Sequence, residues 1–270
     1  MSRRYNYQDL KTLMARLRDK DSGCPWDVEQ SYRTIVPHTL EEVYEVIDAI
    51  ERQDYDHLAE ELGDLLFQVV FYAQIAAEEE RFALDDVIHQ LVEKMLYRHP
   101  HVFINGDLDG KRSGDVNTDI GRQWEALKQQ QKPEHSRILD DVPKAMPGLL
   151  RAKKLQKKAA KVGFDWPNVA QVIDKAHEEL AELEEAIELG DNAHIESEIG
   201  DLLFVMANVC RHLNIDPEQA IRNTNQKFER RFGYVEQQVA ASGNDWSAFQ
   251  LQQLDEFWDQ AKAAERNKSR

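Results

Sequence analysis

Glu41-Glu42-Val43-Tyr44-Glu45, followed sixteen residues on by Glu61-Leu62-Gly63-Asp64-Leu65-Leu66-Phe67, decides the fold, because the chain writes this stretch twice. The second copy is Glu178-Glu179-Leu180-Ala181-Glu182, followed by Glu198-Ile199-Gly200-Asp201-Leu202-Leu203-Phe204. All five acidic residues return at one offset of 137 positions, and six of the seven residues in the later block are identical. A repeat this long predicts two similar domains in 270 residues, since domains of roughly 100–150 residues are common.

Outward from the acidic blocks the pattern is helical. Leu58, Leu62, Leu65, Leu66, Val69, Val70 and Ala73 follow a 3.6-residue period, and Ile195, Ile199, Leu202, Leu203, Val205, Met206 and Val209 repeat it. Val43, Val46, Ile47 and Ile50 mark the preceding helix, and Leu180, Leu183 and Ile187 its counterpart. Asp54 and Asp191 stand before the second helix of each pair as N-caps or turn residues. Strand-like alternation is almost absent. The expected fold is all-α, with two tandem helical-bundle domains built from helical hairpins, at residues 1–104 and 144–270. Residues 105–143 form the connection. Within it, 105–118 is rich in Gly, Asp, Asn and Ser and reads as a mobile linker, while 123–128 reads as a short helix.

Composition narrows the function. The chain is 41% apolar, without a run of about 18 apolar residues, so no membrane-spanning helix is expected. No apolar stretch follows the first residues, so no signal peptide is expected. Cys24 and Cys210 are too few for a disulfide framework, and a cytoplasmic location is the expectation. A net charge of −16 argues against nucleic-acid binding. It leaves room for a small phosphate ligand, because bound divalent cations reverse the local sign of an acidic site. Lys144, Arg151, Lys153, Lys154, Lys157, Lys158 and Lys161 make one basic helix. It reads first as a solvated face that balances the acidic surface, and second as an attractor of phosphate.

The carboxylates carry the chemistry. Glu42 and Glu45 are three apart and share a helix face, as do Glu61 and Asp64, with Glu41 flanking the first pair. Glu179, Glu182, Glu198 and Asp201 form the same quartet in the second repeat. Antiparallel packing of the two helices brings each quartet across one groove. Clustered like charges are costly without a cation between them. An oxygen-only ligand set suits Mg²⁺ or Mn²⁺. A solvent-facing Glu-rich helix is the bland alternative, and the duplication beside an apolar block counts against it. Asp64 and Asp201 precede Leu-Leu-Phe and are expected at the edge of a core, with Gly63 and Gly200 allowing close approach of a helix or ligand. Lys94 and Arg98 match Lys227 and Arg231, each pair spaced i, i+4. Either pair is an exposed helix face or a device for neutralising phosphate.

Together these residues resemble the MazG family of nucleoside triphosphate pyrophosphohydrolases. Besides both acidic sets, the carriers are Gly23-Cys24-Pro25-Trp26-Asp27 with Gln30, Thr39-Leu40 before Glu41, Gln68-Val69-Val70, and Arg98-His99-Pro100-His101-Val102-Phe103. Val162-Gly163-Phe164-Asp165-Trp166 and Lys227-Phe228-Glu229-Arg230-Arg231-Phe232 extend it through the second half. The resemblance implies the all-α NTP pyrophosphatase fold, a homodimer and Mg²⁺ dependence, with Mn²⁺ as substitute. It also implies hydrolysis of NTPs and dNTPs to monophosphate and pyrophosphate with broad base tolerance. Catalysis is expected mainly in the C-terminal repeat. By position, Glu179, Glu182, Glu198 and Asp201 would hold metal. Lys175, Ala176, His177, Glu178, Lys227, Arg231 and Trp258 would contact the nucleotide, and Glu178 is a candidate base. His194 departs from the pattern, because the family often has Lys there, and a neutral His contacts phosphate more weakly. In the first repeat Glu42, Glu45, Glu61 and Asp64 would be a second metal set, with Glu41, Lys94 and Arg98 as nucleotide contacts. That repeat reads as a structural or dimerisation module ahead of a second active site or sensor.

Two rival readings share these residues. A carboxylate-bridged di-iron bundle normally carries Glu-x-x-His, which neither acidic block contains. A non-catalytic regulator that binds Mg²⁺·NTP would share the ligands but release no pyrophosphate. A Walker-type phosphate loop is missing.

Overall fold

The computed structural model describes residues 3–110, Trp124, Leu127, 137–243 and 245–268. Among the described residues are ten α-helices, two short 3₁₀ turns and no strand, as the periodicity predicts. They divide into two compact units, Met1–Lys132 and Pro133–Arg270. Much of the expected linker and of the short helix at 123–128 lies outside the described residues, although Trp124 and Leu127 are both helical. Among the described residues no helix is long and apolar enough to cross a membrane.

The first unit holds α1 (Tyr7–Leu17), α2 (Pro25–Glu29), α3 (Tyr32–Glu51), α4 (Tyr55–Glu78) and α5 (Leu84–Arg98). The side chains of Asn6 and Ser31 cap α1 and α3. Asp54 caps α4 by accepting from the His57 amide, in the N-cap role predicted for it. The tight turn from α3 into α4 makes them an antiparallel hairpin. Met14, Ile35, Val70, Phe71, Ala73, Ile75 and Leu84 form the core, with Leu10, Tyr32, Phe67 and Tyr72 against it. Arg18 ties three helices together under this core. Its guanidinium lies 5.2 Å from the Phe71 ring centroid, pairs with Glu78 at 2.7 Å and donates to the carbonyls of Asp27 and Gln30.

The second unit holds α6 (Gly148–Ala160), α7 (Val169–Leu189), α8 (Asn192–His212), α9 (Pro217–Ser242) and α10 (Leu251–Lys268). Asn168, Asp191 and Asp216 cap α7, α8 and α9. Helix α7 ends at Gly190, whose φ of 69° is the left-handed conformation that glycine reaches without strain. Val172, Val205 and Val209 make a small core with Val169 and Ala176 beside it. Helix α6 docks on α8 through Gln156, which donates to the Phe204 carbonyl at 2.8 Å. The basic residues of α6 serve packing in part. Lys153 donates to the Ile215 carbonyl at 2.8 Å, and Lys158 pairs with Asp141. Asp165, Arg211 and His212 form a further tie, with Arg211 Nε donating to Asn208 at 2.8 Å.

The structure refines three readings of the sequence. The apolar stripe is not all core. Leu62, Leu66 and Val69 are 49%, 49% and 41% exposed, and their counterparts Ile199, Leu203 and Met206 are 44%, 51% and 44% exposed. These trios run i, i+4, i+7 along a face turned from Val70, or from Val205 and Val209; Ala73, which continues the first stripe, is buried. Asp64 and Asp201 are exposed rather than at a core edge. Each lies three after the buried Glu of its helix, on the groove face. No other helix of its unit packs closely on Gly63 or Gly200, since a Cβ at either would meet nothing within 4 Å.

Candidate active site

Helices α7 and α8 bring three carboxylates together. Oxygens of Glu179, Glu182 and Glu198 lie within 4.8 Å of one another. Glu179 is 5% and Glu198 8% exposed, while Glu182 is open to solvent. Glu179 and Glu182 share a face because they are three apart on α7, and the hairpin sets Glu198 opposite. Lys175, one turn earlier, places its Nζ 2.7 Å from both Glu178 and Glu179. His194 Nε2 lies 3.0 Å from Glu198 Oε1. Burial raises the Glu182 carboxyl pKa; Lys175 opposes this, while Glu179, Glu198 and Glu178 add to it. Hydrogen bonds to Glu178 and then Glu179 hold the Lys175 ammonium well above the ordinary lysine range.

Helices α3 and α4 repeat the group with Glu42, Glu45 and Glu61, again within 4.8 Å. Glu61 is 6% exposed. His57 Nε2 lies 2.8 Å from Glu61 Oε1, and Gln68 Nε2 donates to Glu42 Oε1 at 3.2 Å. Burial, then the charges of Asp64 and Glu45, raise the Glu42 pKa; burial and Glu45 raise that of Glu61, opposed by His57. In each unit an oxygen-only donor set fits a hard divalent cation such as Mg²⁺. Asp64 and Asp201 stand outside the two groups of three.

Residues 30–103 and 168–235 match the MazG nucleotide pyrophosphohydrolase domain, and each match contains one of these carboxylate groups. The chain belongs to the MazG family. It is 48% identical to the nucleoside triphosphate pyrophosphohydrolase of Escherichia coli (strain K12) over 261 residues, covering 95% of this chain and 97% of that protein. It is 40% identical to the nucleoside triphosphate pyrophosphohydrolase/pyrophosphatase MazG of Thermotoga maritima over 260 residues, with 96% of each chain covered.

Within the second unit the remaining expected nucleotide contacts fall into separate places. Ala176 packs on the valine core, so only its backbone could face a ligand. Glu178 is exposed and shares Lys175 with Glu179, and His177 is exposed on α7. Lys227 is exposed on α9. Arg231, one turn on, does not stand open beside it. Its Nη2 pairs with Glu265 at 2.8 Å, and its guanidinium lies 5.7 Å from the Trp258 ring centroid. Trp258 is half-buried against Phe228 at 5.3 Å. Phe228 stacks on Phe232 at 5.8 Å, and Phe232 on Trp246 at 5.6 Å. In the first MazG domain Glu41 is exposed with His38 3.8 Å away, Lys94 is exposed, and Arg98 lies over the Trp124 ring at 5.6 Å.

Sequence reasoning passed over His57 and read His194 in isolation as a weak phosphate contact. The two occupy the same place 137 positions apart, each one turn before a buried Glu. The repeat offset carried that signal. The Lys175 pairs were readable as well, being i, i+3 and i, i+4 contacts on α7.

Proposed function

We propose that this chain is a nucleoside triphosphate pyrophosphohydrolase, splitting NTPs and dNTPs into monophosphate and pyrophosphate at the MazG domain of its second unit. The carrying observation is the convergence of Glu179, Glu182 and Glu198 within 4.8 Å, two of them almost fully buried. The names of the two relatives support the same reaction.

These three carboxylates, with Asp201 at the rim, would hold Mg²⁺, with Mn²⁺ as substitute. The cation supplies charge neutralisation at the phosphates and a more acidic water. The chain's own residues then have distinct tasks. Lys175 supplies the cation already placed at the group, and His194 steadies Glu198. Water attacks the α-phosphorus; the new O–P bond forms as the bond to the pyrophosphate oxygen breaks. Glu178, exposed at the edge of the group, takes the proton of the attacking water. Lys227, and Arg231 once drawn from Glu265, meet the charge on departing pyrophosphate. The reaction is tested by product analysis on a mixed NTP and dNTP panel, with and without Mg²⁺. Monophosphate and pyrophosphate, formed only with the cation, are expected. Nucleotide binding without turnover, or release of single phosphate, overturns the reading.

Broad base tolerance rests on the aromatic row Trp258, Phe228, Phe232 and Trp246. Stacking rewards any base, at about 1–3 kcal/mol each. Trp258→Ala is therefore expected to raise KM about tenfold for purine and pyrimidine substrates alike. Steady-state kinetics across the four bases checks this, and an effect confined to one base defeats it.

The homodimer reading rests on the exposed trios of α4 and α8. Ile199, Leu203 and Met206 present an apolar stripe of the kind that marks contact surfaces. Leu203→Lys is expected to shift the chain from dimer to monomer in light scattering. A wild-type monomer overturns the reading.

A further inference from the structure

Trp258, Ala261 and Glu265 fall at i, i+3 and i+7 along one face of α10. Ala261 is 4% exposed, so this is the face packed on α9. There Glu265 accepts hydrogen bonds on both carboxylate oxygens. Arg230 Nε donates to Oε1 at 2.6 Å, Arg231 Nε donates to Oε2 at 2.9 Å, and Arg231 Nη2 lies 2.8 Å from Oε2. These bonds, that of Arg231 first, hold the Glu265 carboxyl below its ordinary pKa, so it stays charged. Two guanidiniums on one carboxylate make a locally positive spot in a chain of net charge −16.

The first repeat keeps only part of this arrangement. Arg98 lies over Trp124 at 5.6 Å, as Arg231 lies over Trp258 at 5.7 Å. The two arginines are 133 positions apart and the two tryptophans 134. At the same offsets Arg230 corresponds to Tyr97, and Glu265 to Gln131. Arginine over tryptophan is thus common to both repeats, whereas the second arginine and the carboxylate belong to the second repeat alone. Setting arginine on tryptophan does not require the carboxylate, since the first repeat does so with a glutamine at that sequence position. The guanidinium edge that grips a carboxylate is also the edge that grips a phosphate. Glu265 therefore occupies the hydrogen-bonding edge that Arg231 has to offer a nucleotide.

We propose that Glu265 is an internal stand-in for phosphate, which sets how tightly the second unit holds the pyrophosphate part of its substrate and product. The inference rests on the reading of Arg231 as a contact for departing pyrophosphate. Without nucleotide, Glu265 keeps Arg231 paired and laid against Trp258. An incoming triphosphate displaces the carboxylate through its β- and γ-phosphates. Once the bond between the α- and β-phosphates is hydrolysed, Glu265 competes for Arg231 again and helps pyrophosphate leave. A nucleoside monophosphate lacks those two phosphates, so its binding does not depend on Glu265.

Calorimetric titration of the full chain in Mg²⁺ buffer, with pyrophosphate and separately with a nucleoside monophosphate, tests this on wild type, Glu265→Gln and Glu265→Asp. Glu265→Gln keeps the size and removes the charge, copying the first repeat. It should bind pyrophosphate about fivefold more tightly, the scale of an ion pair that is only partly buried, and bind monophosphate as wild type does. Its KM for triphosphate should fall by the same factor. Glu265→Asp keeps the charge and should stay close to wild type. Turnover is scored separately. A chain that binds pyrophosphate in this pattern yet hydrolyses no triphosphate defeats the catalytic reading and leaves Glu265 in its role. Melting curves show whether each variant is folded. The proposal is overturned by a wild type that binds no pyrophosphate, or by a Glu265→Gln that fails to fold or binds pyrophosphate no more tightly. Equal tightening for monophosphate, or the same tightening in Glu265→Asp, also overturns it.

Discussion

Glu198→Gln is expected to lower kcat for pyrophosphate release by about a thousandfold while leaving the second unit folded. Glu198 is the one member of its group contributed by α8, so without its charge the group cannot close on a cation from both helices. The substitution keeps size and one acceptor oxygen, so His194 retains its contact. It also removes a charge from a group in which neighbouring carboxylates raise the Glu182 pKa, so folding should not suffer. Product chromatography and a thermal melt read the two effects apart. Glu61→Gln, the same change in the first unit, is expected to retain release. Unchanged turnover in Glu198→Gln would remove the second unit from the chemistry, and equal loss in Glu61→Gln would make the two repeats a coupled pair.

The largest expected loss of stability lies elsewhere. Arg18→Ala should destabilise the first unit by about 3 kcal/mol, the scale for breaking a buried ion pair. Its side chain is 6% exposed and that of Glu78 26%. Removing it leaves the Asp27 and Gln30 carbonyls without their donor and strips a cation from the Phe71 face. For a unit near 100 residues this corresponds to a fall of roughly 15 °C in Tm. The pH dependence has a definite sign. Burial pushes the Glu78 carboxyl upward, but hydrogen bonds from Arg18 and Gln74 outweigh it and leave the pKa lowered. A lowered folded pKa means the stabilisation is complete above the unfolded value of about 4.3 and is lost as pH falls through the folded one. Urea melts at pH 7 and near pH 3 should therefore show a large gap between wild type and Arg18→Ala at neutral pH and a smaller one in acid. A constant gap would show that Glu78 is not the partner that matters.

Much of this was readable before any coordinates. The two hairpins follow from period and repeat, and the caps at Asp54 and Asp191 from residue type before a helix. Glu42 with Glu45, and Glu179 with Glu182, had to share faces because three residues is nearly one helical turn. The role of Gln68 was not readable. It sits inside an apolar run, and only its contact with Glu42, 26 residues away, distinguishes it from a core residue. Arg231 read as half of an open basic pair with Lys227. Its actual partner, Glu265, lies 34 residues on in another helix.

By itself, then, the sequence determined the helices, the duplication and the carboxylates that each helix presents. These depend on 3.6-residue periodicity and side-chain capping, which act within a few residues. Tertiary structure decided which apolar positions are buried, which cation reaches which carboxylate, and where the two repeats cease to be equivalent. Leu62 and Val70 read as one stripe, yet one is 49% and the other 2% exposed. The physical reason is that burial and charge pairing are set by whichever helix packs alongside, a relation between distant segments that no local pattern encodes.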